Sequence, residues 1–171
     1  MSLTKIVRKV FEPRQRELLK HDTQAAELQQ KVLADLLAKA KDTEYGRNHL
    51  FGAAKGYDDF IKHTPINTYE ELKGDIDRMR HGESGILWPG KVKWYAKSSG
   101  TTNDKSKFIP VSPEGLKHLH YCGGRDSVAW YLQNNPKSRL FDGRALILGG
   151  SHAPNYNLPG SLVGDLSAIL I

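Results

Sequence analysis

The stretch "KSSGTTNDKSKFIPVS", residues 97–112, decides how the chain is read. Just before it, in "ILWPGKVKWYAKSSG", Pro89-Gly90 marks a turn, and Val92, Trp94 and Ala96 then alternate with Lys91, Lys93, Tyr95 and Lys97. A period of two residues predicts a strand with one apolar and one charged face. Inside the stretch, "KFIPV" reads as a second short strand. Pro110 cannot donate to a ladder, which assigns that strand to an edge position or to a strand end. Ser112-Pro113 then opens a helix, with serine as the cap and proline at the first helical position. That helix runs to about Gln133 and carries a break at Gly123-Gly124.

Between the two strands lies a loop on a rigid base. Ser98, Ser99, Gly100, Thr101 and Thr102 fill its first five positions, and Lys105 and Lys107 follow. Glycine lets a ligand approach the backbone closely. Small hydroxyl residues leave room for several backbone N–H groups to converge on one anion. Lysine adds a mobile positive charge. Together these parts suit the phosphates of a nucleotide. Two better-known phosphate loops fail the test. A Walker loop requires a second glycine five residues after the first and a helix next; here that position is Lys105, and a strand follows. A dinucleotide fingerprint requires three glycines in six positions, yet Gly100 is the only glycine between Gly90 and Gly115.

Working outward, residues 3–42 read as helices, with Leu28, Val32, Leu36 and Ala40 recurring every four residues and Leu33 and Leu37 widening the stripe. Pro13 is expected to interrupt or begin a helix there. Residues 43–67 are expected to be irregular, punctuated by Gly46, Gly52, Gly56 and Pro65. "TYEELKGDIDRMRHG" is the clearest helix: Thr68 caps it, Glu71 completes a capping box, and Leu72, Ile76 and Met79 share a face. Arg78, Arg80 and His81 suit its negative end, and Gly82 its stop. Towards the far end, "RALILGG" reads as a buried strand. The tail "NYNLPGSLVGDLSAILI" ends in an apolar run that calls for something to pack against. The expectation is one α/β domain over 1–171, mostly helical over 1–67 and α/β over 68–171, and an incomplete amino-terminal part of a longer protein.

Composition narrows the classes. The 171 residues are 39% apolar, and no apolar run approaches the ~20 residues a membrane span requires. The start, "MSLTKIVRKVFEPRQRELLK", lacks the apolar core and cleavage site of a secretory signal. Lys plus Arg number 25 against 19 Asp plus Glu, for a net charge of +6. That sign suits an anionic partner, although the excess is spread along the chain. The single cysteine, Cys122, allows no internal disulfide and no thiolate zinc site. A reducing, cytoplasmic compartment is expected, with no membrane partner. The lysines at 91–97 carry no recognised nucleic-acid motif, and one charged strand face accounts for them.

A different phosphate loop does match. "SSGTTNDKSKFIP" resembles the Ser/Thr/Gly-rich loop of the adenylate-forming, firefly-luciferase-like superfamily, and most closely that of the auxin-responsive acyl-acid amido synthetase family. Ser98, Ser99, Gly100, Thr101 and Thr102 match its first part, and Lys107, Phe108, Ile109 and Pro110 its second. "TYEELKGDIDRMRHGE" and "EYGRNHLF" are also similar to that family's amino-terminal region, so the likeness covers residues 30–150. The resemblance implies a fold: a helical amino-terminal segment packed on a mixed sheet, part of the large domain of an adenylate-forming enzyme. It implies an activity: a carboxylic acid is activated with ATP and Mg2+ to an acyl-adenylate, which an amino acid or other amine converts to an amide. It implies roles: Ser98, Ser99, Gly100, Thr101, Thr102 and Lys107 embrace the β- and γ-phosphates, and Lys107 is the catalytic cation. Lys105 occupies a variable position. The family's later motifs lie beyond residue 171, so no complete active site is expected here.

Two alternatives stay open. One is an acyl-CoA or aryl-CoA ligase of the same superfamily, against which the extra residues between Thr102 and Lys107 argue. The other is a truncated, non-catalytic binding or structural module. The remaining side chains read plainly. Trp94 and Tyr95 are packing residues. His118 and His120, two apart on a helix, do not face one another and are not assigned to a metal. His152 in "GGSHAP" is a loop histidine that could line an acyl pocket, and Cys122 is a small buried hydrophobe.

Overall fold

The computed structural model describes residues 2–98 and 106–170. In chain order its helices are α1 (Leu3–Leu18), α2 (His21–Ala40), α3 (Glu44–Asn48), α4 (Tyr57–His63), α5 (Tyr69–Arg80), α6 (Pro113–Gly115), α7 (Cys122–Asn134) and α8 (Leu166–Ile169). Its strands are β1 (Trp94–Lys97), β2 (Phe108–Val111) and β3 (Leu162–Gly164). A π-helical turn, Leu116–Tyr121, joins α6 to α7, and a 3-10 turn spans Pro154–Tyr156. Two compact units result: Met1–Leu28 with Glu114–Leu148, and Gln29–Pro113 with Gly149–Ile171.

In the first unit α1 lies against α7. Its contact stripe is largely polar. Gln15 donates to the Ala129 carbonyl at 2.8 Å, and the Arg14 guanidinium grips the Asp126 carboxylate at 2.9 and 2.7 Å. Arg8 donates to the carbonyls of Leu132, Asn135 (3.1 Å) and Pro136 (3.2 Å). It thereby satisfies groups that the end of α7 leaves unpaired. Ala129 and Leu132 are fully buried beneath this stripe. Ser2 caps α1, accepting from the Lys5 N–H and donating to Asp142 at 2.8 Å. Thr4 adds its N–H and hydroxyl to Asp142, both at 3.0 Å. Pro13 does not interrupt this helix; α1 runs straight through it. Contacts on both sides of Pro13, from Thr4 and Arg8 before it to Arg14 and Gln15 after it, outweigh one missing hydrogen bond.

These ion contacts set an acid dependence. The Thr4 N–H, the Ser2 hydroxyl and then the Thr4 hydroxyl and Arg139 hold Asp142 well below the ordinary aspartate value of 3.8. Arg14, followed by Arg125, lowers Asp126. A carboxylate depressed in the folded state contributes stability above its ordinary value and loses it as pH falls through the folded value. Asp142→Asn is therefore expected to lower the melting temperature at pH 7, with the gap to wild type closing as pH falls below 3.8. Circular-dichroism melts across pH 7 to ~2 measure this, and a gap of constant size would refute the linkage.

The second unit is built on a three-stranded mixed sheet of order β2-β1-β3, as expected for the class. β1 pairs antiparallel with β2, Trp94 opposite Val111 and Lys97 opposite Phe108, and parallel with β3, Tyr95 opposite Val163. β2 is an edge strand, which is where Pro110 can sit. Ile76, Met79, Ile86, Val92, Tyr95 and Val163 form the core, with Leu72 packed against it. Each such side chain contributes about 1.5–3 kcal/mol when fully buried. α5 starts as expected: the Glu71 carboxylate accepts from the Thr68 N–H at 2.6 Å and its hydroxyl at 2.8 Å. It stops at Gly82, whose φ of +94° favours glycine.

Several expectations are corrected. Residues 43–67 are not irregular throughout, because they hold α3 and α4. Thr43 caps α3, and its first N–H groups reach the carbonyls of Gly85 and Ile86 at 2.8 and 3.0 Å. The strand phase before the loop is shifted. Tyr95 faces the core with no exposure, while Trp94 is half-buried. β1 begins only at Trp94, so the alternation counted from Lys91 does not run through it. Gly123-Gly124 does not break its helix; the departure from regularity is the π turn before it. Cys122 is half-buried rather than buried. "RALILGG" is not a buried strand: it has no regular structure, and Leu146, Ile147 and Leu148 are 87%, 76% and 86% exposed. No strand among the described residues pairs with it, and an apolar run without a ladder partner has nothing to be buried by.

Candidate functional site

β1 leaves the core at Lys97, and β2 returns to it at Phe108. The hairpin is closed immediately outside these residues. The Ser98 N–H donates to the Lys107 carbonyl at 2.9 Å, and the Lys107 N–H donates to Ser98 Oγ at 3.1 Å. Ser98 therefore spends a lone pair on closing the loop and keeps its hydroxyl proton to donate. Of the other residues assigned to the phosphate loop, Ser99, Gly100, Thr101 and Thr102 lie outside the described residues, as does Lys105.

Beneath the closure sits a ring of aromatic and cationic side chains centred on Phe108. The Phe108 N–H donates to the Tyr69 hydroxyl at 3.0 Å. The Arg80 guanidinium stacks 3.8 Å from the centre of the Phe108 ring and donates to the Tyr156 carbonyl at 2.9 Å. The Tyr156 ring lies 5.8 Å from Phe108 and carries the Lys97 ammonium 4.3 Å above it. The Lys107 ammonium stands 5.4 Å from the Tyr69 ring. Contacts of this kind contribute about 0.5–2 kcal/mol each. Arg80 is nearly enclosed, with its side chain 11% exposed and Asp77 at 3.7 Å. Lys107 is exposed, and neither it nor Lys97 has a carboxylate partner among the described residues. Lysines held at a loop mouth by ring faces keep their charge available for an anion, because a ring face does not neutralise them.

A family model described as the GH3 family N-terminal domain matches residues 14–171, a span that contains the whole loop and its ring. The chain belongs to the GH3 family. A probable indole-3-acetic acid-amido synthetase, GH3.7 of Oryza sativa subsp. japonica, is 34% identical over 99 residues, covering 54% of this chain and 16% of that protein. Another from the same organism, GH3.1, is 33% identical over 137 residues, or 77% of this chain and 22% of that protein. The GH3 chain thus spans about one sixth of the length of the first of these relatives. A solved GH3.15 acyl acid amido synthetase shares its fold at a TM-score of 0.75 and 23% identity, covering 91% of this chain and 28% of that one. The GH3 fold therefore accounts for both the helical segment and the small mixed sheet.

His152 belongs to the second unit, and His118 and His120 to the first. His152 is exposed, bridges to Gly164 and packs its ring 5.3 Å from that of Trp94. His118 is exposed in the π turn, and His120 is half-buried there. Sequence reasoning missed Tyr69, Arg80 and Tyr156 as neighbours of the loop. Arg80 carried a local signal, as a cation in the last turn of α5, but one that pointed only to the helix dipole. Tyr69 and Tyr156 had none, since tertiary folding alone brings segments so far apart in sequence around Phe108.

Proposed function

We propose that this chain carries the ATP phosphate-binding loop of an ATP-dependent ligase that joins a carboxylic acid to an amine. The observation that carries this reading is the closure of the hairpin by Ser98 and Lys107, with the Lys107 ammonium exposed and unpaired among the described residues. Membership of the GH3 family and the naming of its relatives as amido synthetases support it. The donor set fits a nucleotide polyphosphate: a hydroxyl proton at Ser98, an ammonium at Lys107, and Lys97 and Arg80 beside them. Mg2+ would arrive on the phosphates themselves, as it commonly does in nucleotide sites.

When bound, ATP would supply the adenylyl group that activates the acid and the pyrophosphate that leaves. The chain's own residues would do the rest. Ser98, Ser99, Gly100, Thr101 and Thr102 would hold the β- and γ-phosphates through hydroxyl and backbone donors. Lys107 would stabilise negative charge as it builds on the departing group, where a preorganised cation lowers the barrier most. The Arg80–Phe108–Tyr156 packing would keep the loop base rigid, so that these donors need not reorganise. The partners on this reading are a small-molecule carboxylic acid and an amino acid or other amine, in a cytoplasmic setting. Among the described residues no helix is long and apolar enough to cross a membrane.

Calorimetric titration of the 171-residue chain with ATP·Mg2+ tests the proposal. Binding with a dissociation constant of roughly 10 μM to 1 mM is expected, weakened about tenfold or more by Lys107→Ala. Because Lys107 is exposed and loses only its contact with the Tyr69 ring, its removal should lower the melting temperature by no more than a few degrees. Absence of binding heat would leave the module as a scaffold.

A further inference from the structure

Tyr69 is the first residue of α5, directly after its cap Thr68. Its hydroxyl accepts from the Phe108 N–H at 3.0 Å, and its ring lies 5.4 Å from the Lys107 ammonium. Two adjacent residues at the start of β2 therefore meet one tyrosine, Phe108 through its backbone and Lys107 through its side-chain charge. We propose that Tyr69 is the positioning residue of the loop cation: its hydroxyl fixes the backbone where β2 begins, and its ring face holds the Lys107 ammonium at the loop mouth. The assignment rests on the phosphate-binding reading of that loop.

Three observations carry it. First, Tyr69 is itself anchored. The Glu71 carboxylate pins the turn that carries it, accepting from the Thr68 N–H at 2.6 Å and from the Thr68 hydroxyl at 2.8 Å. The Tyr69 ring packs against the core cluster that contains Ile76 and Tyr95. Second, its bond covers an open edge. β2 is the edge strand of the sheet, and its first N–H goes to the Tyr69 hydroxyl rather than to another strand. That bond sets where Lys107, one residue earlier, leaves the sheet. Third, the lysine has no competing anchor. Lys107 is exposed and has no carboxylate partner among the described residues. A free lysine stem samples many rotamers and loses that freedom when it closes over a phosphate. A ring face narrows the range beforehand, so less ordering remains when the anion arrives. A carboxylate in the ring's place would also hold the ammonium, but it would compete with the phosphate for it.

Two measurements on the 171-residue chain test the role. NMR of lysine-labelled protein reads the ring contact without any nucleotide. The Lys107 ε-methylene, identified by its disappearance in Lys107→Ala, is expected upfield of the other exposed lysines, because a ring face lies beside it. Tyr69→Leu should return it to their position. Tyr69→Phe should leave it upfield but speed the exchange of the Phe108 amide with solvent. Calorimetry with ATP·Mg2+ reads the consequence. Tyr69→Phe is expected to weaken binding roughly twofold and Tyr69→Leu roughly fivefold, and the difference between them should vanish once Lys107→Ala has removed the ammonium. A tyrosine with a merely structural part would show the same difference with and without the ammonium. That result would overturn the positioning role, as would a wild-type Lys107 ε-methylene at the position of the other exposed lysines, a readout that requires no Tyr69 variant to fold. No heat from the wild-type chain would overturn the phosphate reading and the role with it, so the two failures are told apart.

Discussion

Gly46→Ala is expected to destabilise the chain by about 3 kcal/mol or more, a fall in melting temperature of roughly 6–12 °C at this chain length. A β-carbon at Gly46 would stand 2.0 Å from the Ala40 carbonyl oxygen, 2.9 Å from its carbon and 3.0 Å from Thr43 Oγ1. The first two are backbone atoms, which cannot swing aside as a side-chain tip can. The neighbouring bonds tighten the constraint. The Gly46 N–H donates to Thr43 Oγ1 at 2.9 Å, that hydroxyl donates to the Ala40 carbonyl at 2.7 Å, and the Phe51 N–H donates to the Gly46 carbonyl at 2.9 Å. Opening the turn to admit a methyl would break this chain of bonds between α2 and α3. Gly74→Ala is the control. Its β-carbon would meet nothing within 4 Å, and it lies inside α5. There alanine is expected to add about 0.5–1 kcal/mol through helix propensity. Urea unfolding of both variants measures the contrast. A Gly46→Ala variant within about 0.5 kcal/mol of wild type would refute the packing argument.

The second large effect concerns Tyr95, at the centre of β1. Tyr95→Ala is expected to cost about 3–5 kcal/mol, because it empties a fully buried ring site among Ile76, Met79 and Val163. Tyr95→Phe should be neutral or should add up to about 1 kcal/mol. The hydroxyl is buried with no hydrogen-bond partner among the described residues, so removing it relieves a desolvation cost. Burial also pushes this phenol up to about 12, which keeps it protonated across the working range. The pair of variants reaches the loop as well. β1 leads directly into Ser98, so ATP binding should fall with Tyr95→Ala and persist with Tyr95→Phe. Unfolding curves and the calorimetric titration, run on the same samples, separate the two outcomes.

What could be read from the residues divides along physical lines. Local chemistry was legible: the Thr68–Glu71 box, the stop at Gly82 and the edge placement of Pro110 each follow from a few adjacent residues. The phase of β1 was not, because alternation specifies a face only once the strand's first residue is known. Pro13 was misjudged for the opposite reason, since its local penalty is real but long-range contacts on both sides exceed it. "RALILGG" shows that an apolar, β-prone composition is not sufficient, as a strand also requires a neighbour for its backbone. The ring around Phe108 was invisible because it joins α5, β1, β2 and the 3-10 turn, and no local pattern records such a meeting.

The parallel pairing of β3 with β1 has a consequence for biogenesis. During translation the β1–β2 hairpin can close on itself early, but one long side of β1 stays open until Val163 has left the ribosome, roughly fifty residues and several seconds after β2. Over that interval the nascent chain presents an uncapped ladder edge beside a half-assembled interior, an invitation to adhere to other nascent chains. Yield in cells should therefore respond to chaperone supply and to the pace of synthesis across residues 112–164, even though the finished protein is unaffected by either.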